Sequence, residues 1–323
     1  VTIGYLAIPL ANELVPKNQR PKIQALIGIF AGLANCTGVI IAGAFIKHSV
    51  GGAENGWRAA FYLGAAFFAV TFAALLAFYH PSARPNPEHL SLSSKLRKVD
   101  WFGIFLVAAG LTIFLVGLEF GGNPYKWSSA RVLAPLIVGG ACLVGFGVWE
   151  AFGTKTGLLA HGFFVHPNYA IVLLLNFVGG MVLFGGQAFL PQEIIYLFTQ
   201  DAVLTGVYNL PFNICGVLGG IIAGIVVQLT KESKHILIIS FVILVTASGL
   251  MAVMQPHINF AAWFFPTGLL GITVGVQIAL LPLVASICTP NHLISQALGV
   301  VASTRAFGGS IGVIIFRYVS FVS

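Results

Sequence analysis

Residues 101–120 read WFGIFLVAAGLTIFLVGLEF, and their reading decides the fold. The run is apolar on every face, and its only charge, Glu119, waits until the last turn. A bilayer's hydrocarbon core is about 30 Å thick and takes roughly twenty helical residues to cross. No water there can satisfy bare backbone groups, so a crossing segment is a helix or part of a closed barrel. Barrel strands alternate apolar and polar residues; this run does not, so it reads as a helix. Comparable runs flank it on both sides, at about 24–46, 58–79, 132–152, 169–190, 203–227, 236–254, 262–284 and 293–317. The expected fold class is all-α, a polytopic transmembrane helical bundle set in membrane lipid.

The composition agrees. Hydrophobic residues make up 58% of the chain and charged residues 8%, with a mean hydropathy of +0.95, whereas a soluble domain carries about 25% charged residues. The formal charge of +7 lies in short connections and not on one basic face, so nucleic acid is not an expected partner. Cys36, Cys142, Cys215 and Cys288 fall in or near spans without CxxC spacing and read as small packing residues. The chain opens inside an apolar segment, Val1 to Ala11, that is too short to cross. It is expected to be a piece of a longer chain, truncated at its N-terminus and at its C-terminus.

Charge gives the orientation. Lys17, Arg20, Lys22, Arg84, Lys95, Arg97, Lys98, Lys155, Lys231 and Lys234 fall in one set of alternate connections; Lys47, Arg58, Lys126 and Arg131 fall in the other. The richer set is expected in the cytoplasm. Trp57, Trp101 and Trp127 mark span ends, and Asp100 is placed to cap the helix that follows it. Gly28 with Gly32, Gly216 with Gly220 and Gly224, Gly271 with Gly275, and Gly308 with Gly312 recur at four-residue spacing, which lets helices approach closely. Pro135, Pro211, Pro266 and Pro282 lie within spans and are expected to kink or open them.

An ionisable side chain inside a span is costly and marks a functional site by default. Arg305, near the middle of 293–317, is the clearest case; it is either a site residue or a tie between helices. Arg317 lies near a span end and is expected to snorkel. Asn35, Asn176, Gln187, Asn209, Asn213 and Gln277 are the uncharged candidates for a substrate cavity, although any one of them is more often expected to hydrogen-bond a neighbouring helix. Asn209 and Asn213 share a face around Pro211, beside carbonyls that the proline frees. Phe177, Phe184, Trp263 and Phe265 could supply an aromatic wall for a bulky ligand. Glu119, Glu150 and Glu193 lie near span ends, where solvated or interfacial roles are expected. No His-Glu-x-x-His, P-loop or carboxylate pair is present, so no catalytic residue, metal or cofactor is expected. His161 and His166 stand five apart with neither carboxylate nor Cys between them.

Several stretches resemble a known family. Glu13-Leu14-Val15-Pro16-Lys17 with Arg20, the Gly-spaced helix 24–46, and Gly56-Trp57-Arg58-Ala59-Ala60-Phe61-Tyr62 look like the fourth-to-sixth-span region of a fourteen-span drug:proton antiporter of the major facilitator superfamily. Val99-Asp100-Trp101-Phe102-Gly103, Gly117-Leu118-Glu119-Phe120-Gly121-Gly122 and Tyr125-Lys126-Trp127-Ser128-Ser129 resemble its fungal trichothecene efflux pump branch, which is close to the siderophore transporters. Arg305-Ala306-Phe307-Gly308-Gly309-Ser310-Ile311-Gly312 looks like the penultimate span of that branch.

The resemblance implies that 1–79 is the remainder of an N-terminal six-helix half and 80–100 a cytoplasmic connection. Residues 101–152 would be an inserted helix pair, and 153–323 the C-terminal half without its last span. It also implies proton-coupled efflux of a hydrophobic toxin or drug by alternating access, with protons as partner and the plasma membrane as location. The family's antiporter motif, Gly-x-x-x-Gly-Pro-x-x-Gly-Gly, corresponds to a run whose packing face is Ala34, Gly38, Ala42 and Gly43; Val39 replaces the proline, and Ala34 and Ala42 replace glycines. Without that bend the direction of transport stays open. The alternatives are a siderophore-iron importer of the same branch and, from another class, a membrane nutrient receptor that does not transport.

Overall fold

Each expected span is a helix in the computed structural model, which describes residues 20–52, 55–80, 93, 99–122, 124–154, 157–159, 163, 167–255, 259–290 and 293–322, without the side chains of 20–25, 260 and 318–322. The helices are α1 (Arg20–Lys47), α2 (Gly56–Phe78), α3 (Trp101–Phe120), α4 (Ala130–Val148), α5 (Pro167–Leu197), α6 (Ala202–Tyr208), α7 (Leu210–Thr230), α8 (Lys234–Met251), α9 (Phe260–Cys288) and α10 (Ile294–Val322). A π-turn, Trp149–Gly153, extends α4. Among the described residues these make nine segments long and apolar enough to cross a membrane, α6 and α7 counting together. The Glu13–Lys17 stretch, most of the 80–100 connection, His161 and His166 lie outside the described residues.

The prolines divide by position. α4 runs on across Pro135, and α9 across Pro266 and Pro282. α5 continues through Pro191 to Leu197, beyond the expected end of that span. Only Pro211 coincides with an interruption: α6 stops at Tyr208, Asn209 intervenes, and α7 restarts with the proline in its first turn. A proline costs nothing there, because the first amides of a helix have no intrahelical acceptor.

The chain divides into two compact units: 1–20, 91–189 and 277–323 form one, and 21–90 with 190–276 the other. In the first, α3 and α4 form a hairpin packed along its length by glycine. A Cβ on Gly139 would strike the Phe114 backbone, and one on Gly110 would press on Cys142 and Leu143. Asp100 caps α3, accepting from the Gly103 amide at 2.9 Å, and also accepts from Trp149 Nε1 at 3.0 Å. At the far end Phe120 meets Tyr125 edge-on at 5.8 Å, and the Arg131 guanidinium sits 4.8 Å over that tyrosine ring. α5 and α10 touch backbone to backbone, since side chains on Gly180, Gly308 or Gly312 would collide with the main chain of Arg305, Phe177 and Met181 respectively. Lower on the same helices Tyr169, fully buried, donates to the Ala297 carbonyl at 3.0 Å.

The second unit is held by the same device. Gly271 and Gly275 of α9 face the Phe212 and Gly216 backbones of α7, and Gly219 of α7 faces Ile272. Gly216 and Gly219 of α7 thus face α9; Gly224, expected to share the stripe, opens on empty space. α1 lies against α6 and α7 through Gly32 on Val217, Ile40 on Gly206 and Gly43 on the Ala202 carbonyl. Its C-terminal end is pinned by Lys47 Nζ, which donates to Asp201 Oδ2 at 2.6 Å.

Candidate functional site

The polar residues expected to line one cavity fall into two groups and some outliers. In the first unit Arg305 of α10, Asn176 of α5 and Gln277 of α9 meet, and all are buried. Arg305 Nε donates to Asn176 Oδ1 at 2.9 Å, and Arg305 Nη2 donates to the Gln277 carbonyl at 3.2 Å. The amide nitrogen of Asn176 donates in turn to the Val301 carbonyl, one turn before Arg305. Three helices thus converge on one guanidinium. A lone arginine at mid-membrane costs roughly 3 kcal/mol, and interhelical hydrogen bonds there return about 1 kcal/mol each, so these bonds meet a good part of that cost. The Gln277 side chain is 1% exposed, yet neither its Nε2 nor its Oε1 has a hydrogen-bond partner.

In the second unit the group gathers at the interruption before Pro211. Asn209 is buried and its Oδ1 has no partner, while its carbonyl accepts from Asn213 Nδ2 at 3.2 Å. Fully buried Trp263 donates through Nε1 to the Tyr208 carbonyl at 3.2 Å and packs edge-on against Phe198 at 5.4 Å. At the break two backbone acceptors thus serve an indole and one carboxamide.

The remaining candidates stand elsewhere. Phe177 pairs with Phe307 at 5.7 Å, and Phe184 covers Gly309; both line the α5–α10 contact. Gln187 and Asn35 are exposed on their spans, and Phe265 is 65% exposed. Of the antiporter-motif-like face, Gly43 packs on α6, whereas Gly38 meets nothing and Ala34 is exposed.

Three charged contacts were not foreseen. Arg317, expected to snorkel, forms an ion pair with Glu119 of α3. Glu150, expected at an interface, is buried in the π-turn, where Oε1 accepts from the Leu158 amide at 2.6 Å and the Leu159 amide at 3.2 Å. Asp201 caps α6 while it pairs with Lys47, just outside the span that begins at Ala202. The Lys47 hydrogen bond, followed by the Val203 and Leu204 amides, holds the Asp201 carboxyl below the ordinary carboxylate range. The capping role was readable from an aspartate ahead of an apolar run; partners more than a hundred residues away carry no local signal. Among the described residues no cluster of His, Cys, Asp or Glu could hold a metal ion.

A family model described as "Fungal trichothecene efflux pump (TRI12)" matches residues 26–322. The chain is 25% identical over 303 residues to MFS transporter L2 of Phoma sp., covering 94% of this chain and 49% of that protein. It is 28% identical over 314 residues to MFS-type transporter sphD of Aspergillus fumigatus, at 97% and 52% coverage. It is 26% identical over 319 residues to efflux pump mokI of Monascus pilosus, at 94% and 56% coverage. The chain spans about half the length of these curated relatives.

Proposed function

The chain belongs to the fungal trichothecene efflux pump family of major facilitator transporters, and on that premise we propose that the protein exports hydrophobic toxins or drugs in exchange for protons, by alternating access. It is an integral, multi-pass membrane transporter. The proposal further assigns it fourteen spans in the plasma membrane. In it α3 and α4 are the inserted pair between the halves to which 1–79 and 153–323 contribute, and 80–100 is cytoplasmic.

One observation carries the reading: an arginine held at mid-span by groups from two other helices. Stability alone does not call for it, since apolar residues would pack the same space at no desolvation cost. A charge that ties its own helix to two others can report their relative movement. The candidate substrate-contacting residues are then Asn176, Phe177, Phe184, Gln187, Gln277 and Arg305 in the first unit and, separately, Asn35, Asn209, Asn213 and Trp263 in the second.

The test uses the full-length protein in yeast lacking its own drug pumps. Toxin accumulation should fall on expression, and the fall should vanish when the proton gradient is collapsed. Unchanged accumulation sinks export. One feature favours a second reading, siderophore-iron import: α1 is continuous through Val39, where the antiporter motif would bend at proline. Uptake of iron-loaded siderophore by the same cells would establish it.

A further inference from the structure

Two buried polar atoms without partners sit on one side chain, Nε2 and Oε1 of Gln277. The polar neighbours are committed elsewhere. Asn176 uses its oxygen for Arg305 and its nitrogen for the Val301 carbonyl, and Arg305 Nη2 is spent on the Gln277 main chain. Opposite the carboxamide stands Gly179, where a Cβ would run into Oε1. α5 is thus cut back to its backbone at the point where the amide needs room. A buried amide left unsatisfied costs about 1–3 kcal/mol, with no lipid group able to relieve it.

We infer that the Gln277 carboxamide is a hydroxyl-binding site. A hydroxyl oxygen accepts from Nε2 while its O–H donates to Oε1, which satisfies both atoms at once. Carbonyl and ether ligands satisfy only the nitrogen. The hydroxyl belongs either to the transported molecule or to a bound water. Arg305 and Asn176 act as positioning residues, since they fix the main chain from which the carboxamide projects. The inference rests on the transport reading for the first source only.

The experiment uses full-length protein and two probes, a fluorescent amphiphile with one free hydroxyl and its methyl ether. Wild type is expected to handle the alcohol about tenfold better in KM. Gln277→Leu should abolish that preference by raising the KM for the alcohol until it matches that for the methyl ether, which identifies the substrate as the source. Preserved preference, with a bound-water O–H infrared band present in wild type and missing from Gln277→Leu, identifies water instead. Neither change, in Gln277→Leu or in the fallback Gln277→Met, overturns the site. Equilibrium binding of both probes to purified protein reads Gln277 even if wild type moves neither. That last result would sink the transport reading by itself.

Discussion

Helices α2 and α9 have the same mean hydropathy, 2.1 over their most apolar windows, yet none of the α2 window is buried and 56% of the α9 window is. The difference lies in what interrupts the apolar residues. α9 carries Gly268, Gly271 and Gly275 with Thr267, Thr273 and Gln277, and it buries all of these. α2 carries Phe61, Phe67, Phe68, Phe72 and Phe78, each 64% exposed or more. Hydropathy places both in the bilayer but does not assign neighbours, because lipid tails and leucine are equally apolar. Glycines set against a neighbouring backbone mark the helix that faces protein; bulky aromatics mark the one left bare.

The contrast breaks most sharply by filling a glycine. Gly275→Leu drives a side chain into the Gly216 carbonyl, where neither partner can rotate away. A loss of at least about 3 kcal/mol is expected, at the upper end for overpacking, seen as failure to purify as a monodisperse species. Gly64→Leu in α2 meets nothing and should leave melting unchanged. A comparable loss there would reveal that another segment covers α2 in the full-length protein.

Next come the two arginines of α10. Arg305→Ala strips hydrogen bonds from two buried acceptors and should cost about 2 kcal/mol, with most of transport. Arg317→Ala breaks a pair whose side chains are 43% and 41% exposed, so less than about 1 kcal/mol is expected. Equal transport per inserted molecule would reject that ranking. Trp263→Phe keeps an aromatic ring but loses the pyrrole and with it the bond to the Tyr208 carbonyl, at about 1 kcal/mol for the bond. If thermal melting did not shift, the carbonyl would be satisfied without the indole.

The smallest effect concerns Asp201. Its folded-state pKa lies below the ordinary value, so its contribution is complete above about pH 4 and is lost as the pH falls through the lower, folded value. Asp201→Asn keeps a helix-capping side chain and removes the charge. Its small melting deficit should close as the medium is acidified through that range. A deficit that stays constant with pH would assign the effect to capping alone.

Much of this architecture could be read directly. A twenty-residue apolar run is a length measurement against the bilayer, and the helices start or end within a few residues of the expected places except where α5 passes Pro191. Asp100 was legible because its function is local. On α7, Gly219 joins Gly216 against α9 while Gly224 does not, since the choice depends on which face α9 presents. Arg305, Asn176 and Gln277 could each be singled out as polar residues in lipid, but their meeting could not, for the sequence separations are 129 and 28 residues. Glu150 was misjudged because its proximity to a span end says nothing of the chain that folds back over it.

The hairpin of α3 and α4 carries its own fastenings: one carboxylate, Asp100, serves both a helix start and the indole that closes the opposite strand of the hairpin. That end of the pair is closed from within, while Glu119 at the other end is met by Arg317 of α10. The two crossings should therefore leave the translocon as a finished couple during synthesis. A nascent-chain force profile should register one joint pull for them in place of two, and Asp100→Ala should split it.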